Sequence, residues 1–298
     1  MSQDVNMSLG GQTVLWQSGS DVDYAKLTMG LLPLGLGDFI PETATEIEAL
    51  KMSVAGFDFR RDYQSSEKTI FTLRPLVGEE GYTLVAETSK GKGQGNKTEN
   101  MFLVYPGKTL QIYPGDSGMA PPQEVEDGLR RAYQRSLGCV PSERVTKSLT
   151  ALVSKFDGIP LVKGRGRTPY WIPQKNVDAW KAAADVFEGA SRGNAVQIFK
   201  LNVLMDEDAV RTVTHALSKD IEQKLGKIED RIDNPDSKTG KQLGRVGRRN
   251  MTKNATSMLE QVERYEEILG TALKGVREQF KPVAESLSAA ELLADLGI

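Results

Sequence analysis

One cysteine and one histidine in 298 residues set the first limits on what this chain can do. Cys139 alone cannot build an intrachain disulfide framework or a multi-cysteine zinc or iron–sulfur site. His215 has no second histidine to complete a metal site, and as a general base it lacks an identifiable nucleophile partner. No apolar run approaches the roughly 20 residues that a membrane helix needs. The first 11 residues carry no positive charge ahead of their apolar positions, so they do not read as a signal peptide. A formal net charge of −2 gives no general attraction to nucleic acid or anionic membranes, and such attraction has to come from a local patch. These absences describe a soluble protein of a reducing cytoplasm, with no membrane partner, metal or cofactor expected.

What is present is ordinary globular material, 39% hydrophobic and 26% charged, long enough for two or three packed units. A short strand is expected at residues 13–17, followed by a short helix. A second helix is expected from Pro41, because proline suits a first turn and Glu42, Glu46 and Glu48 favour its positive end. Four strands follow, at 69–77, 82–88, 100–105 and 108–113, the last two meeting at Pro106-Gly107. Short glycine-bearing links make this an antiparallel meander packed on one or two helices. After a break at 114–122, Val125, Leu129, Ala132, Tyr133 and Leu137 mark one helix. Val145, Leu149, Leu152, Val153 and Phe156 mark the next. A hairpin of 159–163 with 168–172, a helix carrying Val177, Trp180, Ala184 and Phe187, and a strand at 195–204 complete a small α+β layer.

The C-terminal third has the sharpest pattern. Met251, Met258, Tyr265 and Ala272 recur at one heptad position, and Ala255, Val262, Leu269 and Val276 at the other. A strict seven-residue seam stays on one helix face when a partner helix follows it. Val210, Val213, Leu217, Ile221, Leu225, Ile228 and Ile232 supply that partner just upstream. A coiled-coil-like hairpin of 206–232 with 250–280 is therefore expected. Asn234-Pro235-Asp236 stops the first helix, and a capping box at Ser288-Ala289-Ala290-Glu291 opens a short last one. The fold class expected is α+β in three segments: an N-terminal antiparallel sheet with helices (1–118), a small α+β middle unit (119–205) and a C-terminal antiparallel helical hairpin (206–298).

Among residues able to carry chemistry, the stretch from Gly91 to Thr98 nearly matches a phosphate-binding loop, with Asn96 where its second glycine belongs. Such a loop opens a helix; here Met101-Phe102-Leu103-Val104-Tyr105 reads as strand, so a hydrophilic hairpin loop is the better account. Gly164-Arg165-Gly166 is a common hairpin turn. Cys139, after a helix-stopping glycine, fills space. Asp206, Glu207 and Asp208 are explained by helix initiation. In Tyr170-Trp171, strand alternation buries one ring and leaves the other half exposed. No catalytic residue is assigned.

The best functional candidate is the connector of the hairpin, where Lys238, Lys241, Arg245, Arg248, Arg249 and Lys253 occur with no acid between the first and last. Several lysines and arginines on one tip suit salt-dependent, sequence-tolerant contact with phosphates. The competing account is a solvated charged tip, since no aromatic interleaves these residues to stack on bases. Self-association through the heptad helix, as in a structural or scaffolding subunit, is the alternative function.

The strand-entry motif Gly166-Arg167-Thr168-Pro169-Tyr170-Trp171-Ile172-Pro173, followed by a helix, a strand and a long amphipathic helix, resembles an uncharacterised family of bacteriophages and some bacteria, a domain of unknown function. Val262-Glu263-Arg264-Tyr265-Glu266-Glu267-Ile268-Leu269-Gly270 is similar to that family's closing helix. The resemblance implies a phage or mobile-element origin, the cytoplasm of a bacterial host, and no assigned catalytic residues. With the basic connector it leads to a non-enzymatic accessory protein, its partner nucleic acid or a phage or host protein.

Overall fold

The computed structural model describes residues 9–55, 59–62, 67–90, 97–115, 123–162, 167–204, 206–233, 245–269, 273–278, 280 and 283. In chain order its first elements are β1 (Leu9–Ser18), β2 (Val22–Asp23), α1 (Tyr24–Leu31), α2 (Glu46–Ala55), β3 (Phe59–Asp62), β4 (Glu67–Pro75) and β5 (Tyr82–Lys90). Next come β6 (Lys97–Tyr105), β7 (Gln111–Pro114), α3 (Gln123–Leu137), β8 (Cys139–Val140), α4 (Ser142–Lys155), β9 (Ile159–Pro160) and β10 (Tyr170–Pro173). The chain ends with α5 (Val177–Ala190), β11 (Val196–Leu204), α6 (Glu207–Asp233), α7 (Arg245–Leu269) and α8 (Lys274–Glu278). The architecture is α+β with antiparallel sheets. Contacts gather the chain into two units: residues 17–150 with 182–197, and residues 1–16 with 151–181 and 198–298.

In the first of these units β3 to β7 form a five-stranded meander in sequence order. Short connections make each strand pair with the next, as the sequence led one to expect, and β3 adds an edge strand that hydropathy did not reveal. Phe71, Leu84, Ala86, Phe102 and Val104 from the sheet share one core with Leu50 of α2 and Val125, Leu129 and Tyr133 of α3. The Pro106-Gly107 turn is clamped by the Tyr133 hydroxyl, which donates to the Gly107 carbonyl (2.6 Å) and accepts from the Gly107 N–H (3.1 Å). The helix expected from Pro41 begins at Glu46 instead. Its start is set by a capping box: the Glu48 carboxylate accepts from the Thr45 N–H (2.8 Å), and the Thr45 hydroxyl accepts from the Glu48 N–H (3.3 Å). The Thr45 N–H is the largest of the influences that hold the Glu48 carboxyl below its ordinary range.

The other unit contains a four-stranded sheet in the order β11-β1-β10-β9. The expected hairpin is present as β9 and β10, but β10 also pairs antiparallel with β1, Gly11 opposite Pro173 and Val14 opposite Tyr170. Strand β1 thus belongs to this sheet and not to the meander. Gly11, at φ +154°, is where the pairing leaves no room: a Cβ there would lie 2.3 Å from the Ile172 carbonyl oxygen and 2.8 Å from Trp171 Nε1. Since a paired backbone carbonyl cannot swing aside, Gly11→Ala is expected to destabilise the protein by about 1–3 kcal/mol, as overpacking does. Urea denaturation followed by circular dichroism measures this, and an unchanged midpoint would show that the strands meet elsewhere.

Helices α6 and α7 pack on the same unit and on each other. Val213, Leu217, Ile221, Leu225 and Ile228 of α6 lie in one buried cluster with Met251, Met258, Val262 and Tyr265 of α7, and with Ile159 and Trp171 of the sheet. The helices run antiparallel: Ile228 and Asp230 line one groove with Met251 and Met258, while Asp220 lies close enough to act electrostatically on Tyr265. Ala255 and Leu269 are partly buried against the cluster, and Ala272 lies outside the described residues. Two boundaries differ from expectation. Helix α7 begins at Arg245, before residue 250; Arg245, Arg248 and Arg249 favour helix, against the cost of Gly247. It closes at Leu269 rather than running on to residue 280, and α8 starts afresh after the Glu266 carboxylate takes the Leu273 N–H (2.8 Å). The expected terminal helix from Ser288 lies outside the described residues.

Candidate functional site

Of the six basic residues singled out above, four lie on α7 rather than in the segment before it. Lys238 and Lys241 lie outside the described residues. Arg245, Arg248, Arg249 and Lys253 belong to the first turns of α7. The side chains of Arg245 and Arg248 are outside the described set, while Arg249 and Lys253 are exposed. Among the described residues neither Arg249 nor Lys253 has an acidic partner. The first turn of α7 contains no acid and its last turn no base, the reverse of what the helix dipole favours. Glu260, Glu263, Glu266 and Glu267 crowd the C-terminal half instead.

Between α6 and α7 runs a groove of about 680 Å³. Its apolar side chains are Ile228, Met251 and Met258, all largely buried. Lys224 and Arg264 stand on its polar side, and both are held from beneath. Lys224 pairs with the buried Asp220 at 2.7 Å. Arg264 donates from Nε to Asp157 Oδ1 at 2.9 Å.

Asp157 is the node of this corner, and it follows the C-terminus of α4. It is one of two described non-glycine residues at positive φ, +54°, a conformation that aspartate tolerates better than most side chains. Its carboxylate meets Arg264, Lys175 Nζ (3.5 Å) and Asn176 Nδ2 (3.3 Å). Its carbonyl accepts from the hydroxyl of Tyr265, whose ring lies 6.2 Å from that of Trp171. Burial, with the Asp157 charge behind it, raises the Tyr265 phenol well above its ordinary range, so it stays a neutral donor. Nothing in the hydropathy pattern announces this node; Asp157-Gly158 after a helix reads only as a stop.

The remaining candidates are placed as follows. His215 is exposed on α6 and borders a small cleft of about 190 Å³ with Pro160, Leu161 and Val162. Among the described residues no three His, Cys, Asp or Glu side chains gather to hold a metal. Trp171 is buried and Tyr170 half-buried, stacked on Trp16 at 5.1 Å, as strand alternation requires. Gly91 to Gly95 and Gly164 to Gly166 lie outside the described residues.

Cys139 is buried, and its thiol is directed at the Arg135 carbonyl (3.2 Å) and the Asp21 carboxylate (3.5 Å). Burial first, and Asp21 second, push its pKa up to about 11. At pH 8 only about one thiol in a thousand is then ionised, and the thiolate is the reactive form. The folded protein is expected to resist Ellman's reagent and to react fully once unfolded in guanidinium. Rapid stoichiometric labelling of the folded protein would contradict the placement.

No described helix is long and apolar enough to cross a membrane. A model for a family of unknown function, DUF6744, matches residues 11–296. The chain belongs to that family. The match takes in both units, so the family's shared pattern includes β1 as well as the long helices. No curated protein and no solved structure matches the chain.

Proposed function

We propose that this DUF6744 member is a non-enzymatic accessory protein of phage type that contacts nucleic acid through the basic start of α7. The observation that carries this reading is the charge order of that helix. Arg245 and Arg248 lie in its first turn, where the helix dipole disfavours cations and no acid is present to offset them, and Arg249 and Lys253 follow. A cation in that first turn costs about 0.3–1 kcal/mol. Phosphates arriving at this end offset that cost, since they are attracted by the arginines and by the helix terminus together. Lys238 and Lys241 precede the helix closely in sequence and extend the same charge. The phage attribution rests on the resemblance carried by the motif Gly166 to Pro173 and the stretch Val262 to Gly270.

Fluorescence anisotropy with labelled single- and double-stranded DNA and RNA at low salt tests the reading. Saturable binding is expected, weakened by the combined substitutions Arg245→Gln, Arg248→Gln and Arg249→Gln. Equal binding by that variant would falsify the assignment. The alternative, a scaffolding subunit self-associating through the heptad face of α7, has to withdraw Met251, Met258, Val262 and Tyr265 from a core they already fill. A light-scattering mass that grows with concentration and is abolished by Val262→Lys in a still-folded protein would favour it.

A further inference from the structure

We infer that the groove between α6 and α7 binds a small organic oxyanion, an apolar body bearing a carboxylate or phosphate, with Arg264 as the anchor of its charged end. Asp157 sets the geometry of the charged end. Its positive-φ turn, with Lys175 and Asn176 on the carboxylate, fixes the oxygen that receives Arg264 Nε. That single bond orients the guanidinium plane. The two terminal nitrogens make no hydrogen bond to a described residue, and the side chain borders the groove. A guanidinium held at Nε with its fork unoccupied is suited to bidentate capture of a carboxylate or phosphate.

The rest of the groove fits the other half of such a molecule. Lys224 adds a second cation on the same stretch of wall, since it and Arg264 belong to the region where α6 residues near 220 meet α7 residues near 265. Further along, Ile228, Met251 and Met258 supply its apolar lining. Methionines adapt to varied apolar shapes. Asp230 lies six residues beyond Lys224, about 9 Å along the helix, so the acid is kept away from the end that takes the anion. The volume of about 680 Å³ falls in the range of small-molecule sites. This site is separate from the nucleic-acid reading: it is built on Arg264 and Lys224, and Arg249 is not among the described residues that line it.

The probe is 8-anilinonaphthalene-1-sulfonate, an anion with an apolar body, set against uncharged N-phenyl-1-naphthylamine. The first is expected to bind the folded protein saturably at one site per chain. Ser257→Trp, an exposed position on the groove wall, fills the space and is expected to weaken both probes at least tenfold. Arg264→Gln is expected to weaken the sulfonate tenfold and leave the neutral probe within twofold, with circular dichroism confirming the fold of each variant. Decanoate and decyl phosphate are then added as competitors. Displacement by either supports the site and tells which oxyanion it prefers. Sulfonate binding that survives Ser257→Trp, a sulfonate affinity indifferent to Arg264→Gln, or failure of both competitors overturns the inference. The triple arginine variant is expected to bind the sulfonate normally, so loss of nucleic-acid binding and loss of this site remain separable.

Discussion

Replacing Tyr265 with alanine is expected to cost roughly 3–5 kcal/mol of folding stability, the range for removing a buried aromatic side chain. The ring is fully buried among the stripes of α6 and α7 and lies beside Trp171, so its loss leaves a cavity against two helices and a sheet at once. The Asp157 carbonyl loses its phenolic donor in the same step. Tyr265→Phe separates the two contributions: it keeps the ring and removes only the hydrogen bond, for about 0.5–1.5 kcal/mol. The readout is favourable, because Trp16, Trp171 and Trp180 are the only three tryptophans and all belong to the unit that contains Tyr265. Intrinsic fluorescence in a urea titration therefore reports on this unit. A loss below about 1 kcal/mol for Tyr265→Ala would mean that the heptad seam is not the core of the unit.

The same residue shows what was legible in the sequence. Its burial followed from periodicity: a seven-residue repeat at Met251, Met258 and Tyr265, facing a second stripe from Val213 to Ile228, specifies two helices sharing an apolar seam. The meander was legible for a similar reason, since alternating strands joined by short turns leave little choice but to pair with their neighbours. The role of Tyr265 as donor to Asp157 was not legible. It joins residues 108 positions apart, and no local rule ties an aspartate after one helix to a tyrosine in another. The pairing of β1 with β10 is hidden in the same way, because strand partners distant in sequence are chosen by the whole core. Thr45 and Glu48 are a different case. Their spacing is a capping signal in plain view, and Pro41 with its nearby acids masked it as a competing start. Of the candidate sites, the basic residues could be named from charge alone. Arg264 could not, because what distinguishes it from other surface arginines is the carboxylate beneath it.

The second large effect expected concerns salt. If Arg245, Arg248 and Arg249 each neutralise one phosphate of duplex DNA, each contributes about −0.9 to the slope of log affinity against log salt. Together they contribute about −2.7, so raising salt from 50 to 200 mM costs the unaltered protein about 40-fold more affinity than the triple glutamine variant. The comparison of slopes is more decisive than affinity at one salt concentration. A damaged fold lowers affinity at every ionic strength, whereas loss of phosphate contacts flattens the dependence. Lys253→Gln, one turn further along α7 and exposed, is expected to flatten the slope by up to one more unit if the strand continues along the helix. A triple variant whose slope equals that of the unaltered protein removes the basic start of α7 from consideration, whatever its affinity. The acidic half of the helix then becomes the better guide to a partner, and that partner is a cationic protein surface rather than a nucleic acid, because Glu260, Glu263 and Glu267 repel phosphates.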